Sequence, residues 1–196
     1  MRAILVLYLI SDFNDKNQGL GWSNKEAIML YGWYTALVYI ACIPGGIIGD
    51  RYITRINSVI YGGFLLCAGH FTLAFQNELF FFTGLILIIL GVGLLKPNIS
   101  TLVGNLYKIN DLRRDQGFTI FYIGINVGAF LASIIVGYVG EVFGWHYGFS
   151  LAGFGMLLGQ ISFLIGKKNI IEVSKKTSAK STFSFKMKKH KLSSIE

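Results

Sequence analysis

Residues 84–107 read GLILIILGVGLLKPNISTLVGNLY, an apolar run of membrane grade with a Lys96-Pro97-Asn98 triplet set into it. A crossing helix needs ~20 mostly apolar residues, because the hydrocarbon layer is about 30 Å thick. An ammonium in that layer costs roughly 2.5–3.5 kcal/mol on insertion scales, so a lysine there marks a candidate site. Pro97 removes a helix hydrogen bond and kinks the segment beside it. Together these residues point to a polar cavity inside a helical membrane bundle. The plainer reading is that Lys96 sits near a helix end and snorkels to the headgroups. Eleven residues, most of them apolar or small, follow it before Lys108, which counts against that placement.

Composition agrees with a membrane chain. Charged residues make up 14%, against about 25% in soluble domains, and mean hydropathy is +0.56. The 24 glycines fit the same class, since small residues let membrane helices approach closely. Cys42 and Cys67 both fall in apolar segments and support neither a disulfide framework nor a metal site.

Taken in order, residues 1–11 are apolar but too short to span, either a re-entrant piece or part of a first helix. A polar loop, 12–25, precedes spans expected at 26–50, 56–76, 79–107, 116–140 and 145–166. Short turns make neighbouring spans antiparallel. Residues 167–196 form a basic tail, SKKTSAKSTFSFKMKKHK at its heart, expected to be flexible and able to touch acidic lipid.

The formal net charge of +8 does not point to nucleic acid, because of where the charge lies. Nine of the 18 Lys and Arg residues fall in the tail, and five more in the turns around 51–55 and 108–114. By the positive-inside rule that face is cytoplasmic, which places the tail inside the cell and the chain in the cytoplasmic membrane. No strict repeat is present. Six segments match one half of a transporter built from three-plus-three inverted repeats.

Other polar residues interrupt the apolar spans. Asn126 in FYIGINVGAF needs either an interhelical partner or a ligand. Tyr39 either packs as an aromatic or turns its hydroxyl to an internal partner. Arg2 would count by itself as an ordinary flanking charge. At the end of the second segment, Asp50 followed by Arg51 and Arg55 reads as a gate whose ion pairs exchange when helices slide, or as an orientation signal. Enzyme chemistry is not expected: His70, His146 and His190 are scattered, and Gly91-Val92-Gly93 lies inside a span rather than after a strand.

The segments MRAILVLYL, GGIIGDRYITR, GVGLLKPNISTLVGNLY, RDQGFTIFYIGINVGAF and GWHYGFSLAGFGM, in this order, resemble the N-terminal half of a proton-dependent oligopeptide transporter, a branch of the major facilitator superfamily. The resemblance implies an all-α integral membrane fold, an N-terminal six-helix bundle whose first helix is incomplete. It also implies symport of di- and tripeptides with protons, the proton being the coupling ion and no other cofactor being needed. Lys96 matches the family's central lysine, which holds the peptide carboxylate and takes part in proton coupling. Arg2 matches a cation of the same cavity, and Tyr39 and Asn126 match residues that contact the peptide backbone. Asp50, Arg51 and Arg55 match the cytoplasmic gate loop. Thr54 stands where that loop often has glycine, which is expected to weaken the turn. A glutamate-rich motif of the family falls upstream of Met1, and the second bundle is expected from a second chain. The alternative is a transport-incompetent membrane remnant.

Overall fold

The computed structural model describes residues 2–12, 17–75, 77–108 and 110–192, with side chains described over 4–12, 17–75, 77–108 and 110–173. Among the described residues the chain is all helix: α1 (Arg2–Ile10), α2 (Asn24–Arg51), α3 (Arg55–Leu73), α4 (Glu78–Asn105), α5 (Arg113–Phe143) and α6 (Trp145–Leu192). The last five carry stretches long and apolar enough to cross a membrane, that of α6 being Trp145–Val173.

Local chemistry sets the helix starts. Ser23 and Glu26 form a reciprocal capping box at α2, and the Asn77 side chain accepts from the Leu79 backbone N–H at α4. Thr54 caps α3 by accepting from the Asn57 N–H at 3.3 Å, with φ −66°. The turn therefore needs no glycine here, and Thr54 strengthens it rather than weakening it.

Helices α2, α5 and α6 overrun the expected spans, whereas α3 ends at Leu73 and α4 at Asn105, three and two residues short of them. Helix α5 begins at Arg113 and ends at Phe143, outside the expected 116–140. Hydropathy marks where hydrocarbon begins, whereas charged residues continue a helix readily in the headgroup layer. The same logic applies to α6, whose backbone stays helical to Leu192 instead of becoming a flexible tail at 167. No Gly or Pro occurs between Lys167 and Leu192 to stop it.

Helix α1 is short, nine residues or about 14 Å, yet it sits at the centre of the core. Ile4, Leu5, Tyr8 and Leu9 are buried, and the Tyr8 ring meets Phe81 of α4 at 5.5 Å and Phe149 of α6 at 5.6 Å. The chain then doubles back. The N–H groups of Leu20, Gly21 and Trp22 donate to Tyr8, Ser11 and Leu9 carbonyls at 3.1, 2.9 and 2.8 Å. Those bonds satisfy carbonyls that a helix C-terminus leaves without partners. Asn17 joins this loop to the α5–α6 corner, donating to the Gly140 and Glu141 carbonyls while its own carbonyl accepts from Trp145 Nε1 at 3.3 Å.

The most extensive packing is between α3 and α4. A Cβ on Gly62 would lie 2.7 Å from the Gly91 carbonyl, and one on Gly69 would lie 2.9 Å from the Gly84 carbonyl. The two backbones therefore touch along a glycine seam. Helix α6 joins this block through buried Gln160, whose Nε2 donates to the Ile60 carbonyl at 2.9 Å.

Candidate functional site

Two proline-bearing helices, α2 with Pro44 and α4 with Pro97, build the floor of the site. They come close because Gly45 faces the backbone of Gly93, where a side chain on either glycine would collide with the other helix. One turn further along α4, Asn98 is 1% exposed and its Nδ2 donates to the Gly45 carbonyl at 3.1 Å and to Leu94 at 2.8 Å. A buried amide with both bonds made locks α2 to α4 directly beside Lys96. Within the KPN triplet the lysine carries the more expensive group, and the sequence does not separate its role from that of its neighbour. Only the tertiary contact distinguishes the asparagine that fastens from the lysine that projects.

Lys96 is exposed, and its Nζ lies over the Tyr39 ring, 4.6 Å from the centroid. Two residues singled out independently in the sequence, 57 positions apart, therefore meet across the α2–α4 contact. Tyr39 is 53% exposed, so the pair opens outward from the bundle. A cation over a tyrosine face is held at a defined place while its N–H groups remain available for a ligand.

Asn126 stands on α5, exposed, and its Nδ2 donates to the Tyr122 carbonyl at 2.8 Å on its own helix. The structure thus brings Lys96 and Tyr39 together and leaves Asn126 engaged with its own backbone. The Arg2 side chain lies outside the described residues. Thr35, one turn before Tyr39 on α2, has a buried Oγ1 with no hydrogen-bond partner. Helical hydroxyls at Thr72, Thr83, Thr101 and Thr119 instead return to the carbonyl four residues back.

At the far end of α2, Arg55 Nε donates to Asp50 Oδ1 at 2.7 Å, an ion pair that clasps the α2–α3 turn. Arg51 is exposed on the last turn of α2, where a cation suits the helix dipole. A second clasp lies in the α4–α5 turn: Asp111 accepts from Arg113 Nε at 3.1 Å and from Nη2 at 2.9 Å. Hydrogen bonds from the Arg113 side chain and backbone hold the Asp111 carboxyl well below its usual range, at about 2.

The POT family model matches residues 56–192 of this chain. Among curated proteins, the chain is 46% identical over 172 residues to the uncharacterized transporter YclF of Bacillus subtilis (strain 168), covering 87% of this chain and 35% of that protein. It is 45% identical over 168 residues to the di-/tripeptide transporter of Lactococcus lactis subsp. lactis (strain IL1403), covering 85% of this chain and 34% of that one. The chain thus spans about a third of the length of these relatives. Among solved structures, it superposes on the peptide transporter POT in complex with sulfate with a TM-score of 0.83 at 39% identity, covering 97% of this chain and 41% of that one. A POT family transporter in complex with 5-aminolevulinic acid gives 0.81 at 37% identity, covering 85% and 34%. Helices, glycine seams and sequence matches agree: the chain is a multi-pass membrane protein and belongs to the POT family.

Proposed function

We propose that the chain is one six-helix half of a proton-coupled symporter of di- and tripeptides, set in the cytoplasmic membrane with the Asp50–Arg55 and Asp111–Arg113 turns and the C-terminal end of α6 facing the cytoplasm. The observation that carries this reading is the Lys96 ammonium held 4.6 Å over the Tyr39 ring on a face that opens from the bundle. A zwitterionic peptide needs a cation at one end, an anion at the other and backbone-directed polar groups between. Lys96 supplies the cation for the peptide carboxylate, with Arg2 as its second, and Tyr39 and Asn126 contact the peptide backbone. Asn126 would exchange its Tyr122 partner for the substrate on binding. Protonation linked to Lys96 couples the gradient to release, and no cofactor is required. No bond is made or broken in substrate: these groups bind and move it. Asp50, Arg51 and Arg55 form a gate whose clasp re-forms with each half-cycle.

Alternating access requires a second bundle to move against this one, which a separate chain or a further part of the protein provides. Uptake of a labelled dipeptide into proteoliposomes under an inward proton gradient tests the proposal. The expected result is gradient-driven uptake by the chain paired with a second six-helix bundle and none by the chain alone, with unlabelled dipeptides competing. Uptake by neither would make the chain a membrane remnant without independent activity. Uptake that dipeptides fail to compete for would mean an anionic solute other than peptide.

A further inference from the structure

The sequence has two prolines, and both lie inside helices long enough to cross a membrane, Pro44 in α2 and Pro97 in α4. Proline has no backbone N–H, so the carbonyls four residues back, those of Ile40 and Gly93, lose their helical donors and the helix bends or yields there. The fold sets these two gaps side by side. Contacts step forward along both helices, Gly45 with Gly93 and then Gly49 with Asn98, so α2 and α4 run in the same direction. A Cβ on Gly46 would lie 3.7 Å from the Pro97 Cβ, and the backbone atom that Gly45 packs against is the Gly93 oxygen, the one Pro97 leaves without its donor. Two weak points in neighbouring helices therefore share one level of the bundle.

The packing differs on the two sides of that level. Before it, α4 is bound to α3 at Gly84 with Gly69 and at Gly91 with Gly62, a glycine seam that reaches Leu95. On α2, Tyr34 and Val38 belong to the core around α1. Beyond it, α3 turns to α6, with Gly63 against the Gln160 amide that donates to the Ile60 carbonyl, while α2 and α4 hold each other. Asn98 Nδ2 donates to the Gly45 carbonyl at 3.1 Å, and a Cβ on Gly49 would collide with the same amide. Gly45 and Asn98 each stand one residue past a proline, so this bond ties the two far segments directly after their gaps. The amide's other bond, to the Leu94 carbonyl at 2.8 Å, spans Pro97 on α4 itself and centres the side chain on the same level.

We propose that Pro44 and Pro97 form a single two-helix hinge, across which residues 45–51 of α2 and 98–105 of α4 swing as one body with Asn98 as the link between them. Lys96 is the last residue before the pivot on α4, and Tyr39 lies five residues before Pro44 on α2, so their pair stays with the packed part. Asp50 and Arg51 ride on the moving part, six and seven residues past Pro44, about 9–11 Å along the axis. A bend at the pivot therefore moves the Asp50–Arg55 clasp far more than it moves Lys96, and an ion pair as exposed as this one is weak enough to open. The hinge is a property of the packing and stands whether or not the chain transports peptides.

Spin-label distance measurements on the whole chain in lipid nanodiscs test it, with Cys42→Ala and Cys67→Ala removing the native thiols and labels introduced in pairs by Arg51→Cys, Asn105→Cys and Lys168→Cys. Exposed Lys168 on α6 is the fixed reference, and a pair at Lys168 and the exposed Tyr61 of α3 reports the width found within the packed part. The 51–168 and 105–168 distributions should both be wider than the 61–168 one, and the 51–105 distribution should be narrow. Pro44→Ala should narrow 51–168 and 105–168 together although it alters only α2, because the linked helices share the pivot. Asn98→Ala, which leaves room against Gly49, should widen 51–105. Unchanged helicity by circular dichroism confirms folding of each variant. Distributions as narrow as the 61–168 one in the chain with both prolines would overturn the proposal and make the prolines fixed bends. So would a Pro44→Ala that narrows 51–168 alone, which would show two helices bending independently, or a 51–105 width that Asn98→Ala leaves unchanged.

Discussion

Helix α5 carries a more apolar stretch than α3, mean hydropathy 2.1 against 1.3, yet it is the less buried of the two. Half of the most apolar stretch of α3 is buried, against 6% of that of α5. Helix α3 is held by glycine contacts with α4 and by the Gln160 bond from α6. On α5, Gly124, Gly128 and Gly137 have nothing near enough for a Cβ to touch. The difference separates two tasks. One side of the bundle folds against itself through the α3–α4 seam. Tyr39, Lys96 and Asn126 are exposed as well, and under the proposed function these exposed surfaces meet the substrate and the second bundle.

The comparison is broken most severely at the glycine seam. Gly62→Leu forces a side chain into the Gly91 carbonyl and the Leu95 backbone, and should destabilise the bundle by about 3 kcal/mol. Gly124→Leu on α5 meets open space and should stay within about 0.5 kcal/mol. Thermal unfolding of the two variants in detergent should separate them clearly. Similar melting points would mean that the two sides are equally packed.

Asn98→Leu tests the fastening of α2 to α4. Loss of both amide bonds, in a position too tight for the new side chain against Gly49, should cost about 2 kcal/mol. It should also loosen Lys96 from Tyr39. A native melting temperature in this variant would mean that the amide is dispensable.

Smaller effects are expected at the turns. Asp50→Asn removes an ion pair whose partners are 37% and 53% exposed, so solvent screening limits the loss to less than about 1 kcal/mol. Transport rate should respond more than stability if the clasp is a gate. For Asp111 the sign follows from a folded pKa of about 2 against an ordinary 3.8. The stabilisation from Arg113 is fully present above the ordinary value and is lost as pH falls toward the folded one. Amide exchange in residues 110–114 should therefore be insensitive to the clasp between pH 5 and 8 and should quicken below about 4. Asp111→Asn should remove that acid-induced step, and a step that survives in the variant would belong to another group.

Much of this was legible in the sequence, for physical reasons that differ by residue. Five spans follow from hydropathy because hydrocarbon demands it. Lys96 stands out because charge in that setting is expensive, and Asp50 with Arg55 because charges of opposite sign flank a turn. The bond from Asn17 to Gly140 crosses 123 positions, and no local pattern encodes it. The centrality of α1 was equally hidden, since a short apolar run reads the same whether it is buried by protein or by lipid. The fastening role of Asn98 is not legible either, because an amide beside a lysine belongs to the same polar feature until its partner on α2 is known. The continuation of α6 past 166 is not legible because a run of lysines fits a solvated helix and an unfolded tail equally well, although nothing in the stretch breaks a helix.

The most direct test of the account is Lys96→Ala in the chain paired with a second six-helix bundle, with dipeptide uptake and thermal stability measured on the same preparation. Lys96 is exposed, and its ammonium rests on the exposed Tyr39 ring rather than in the packed α3–α4 seam. The account predicts a near-native melting temperature with proton-driven uptake abolished. Uptake retained at the native level would contradict the role given to Lys96, and loss of uptake accompanied by unfolding would contradict the division between a packed side and a working side.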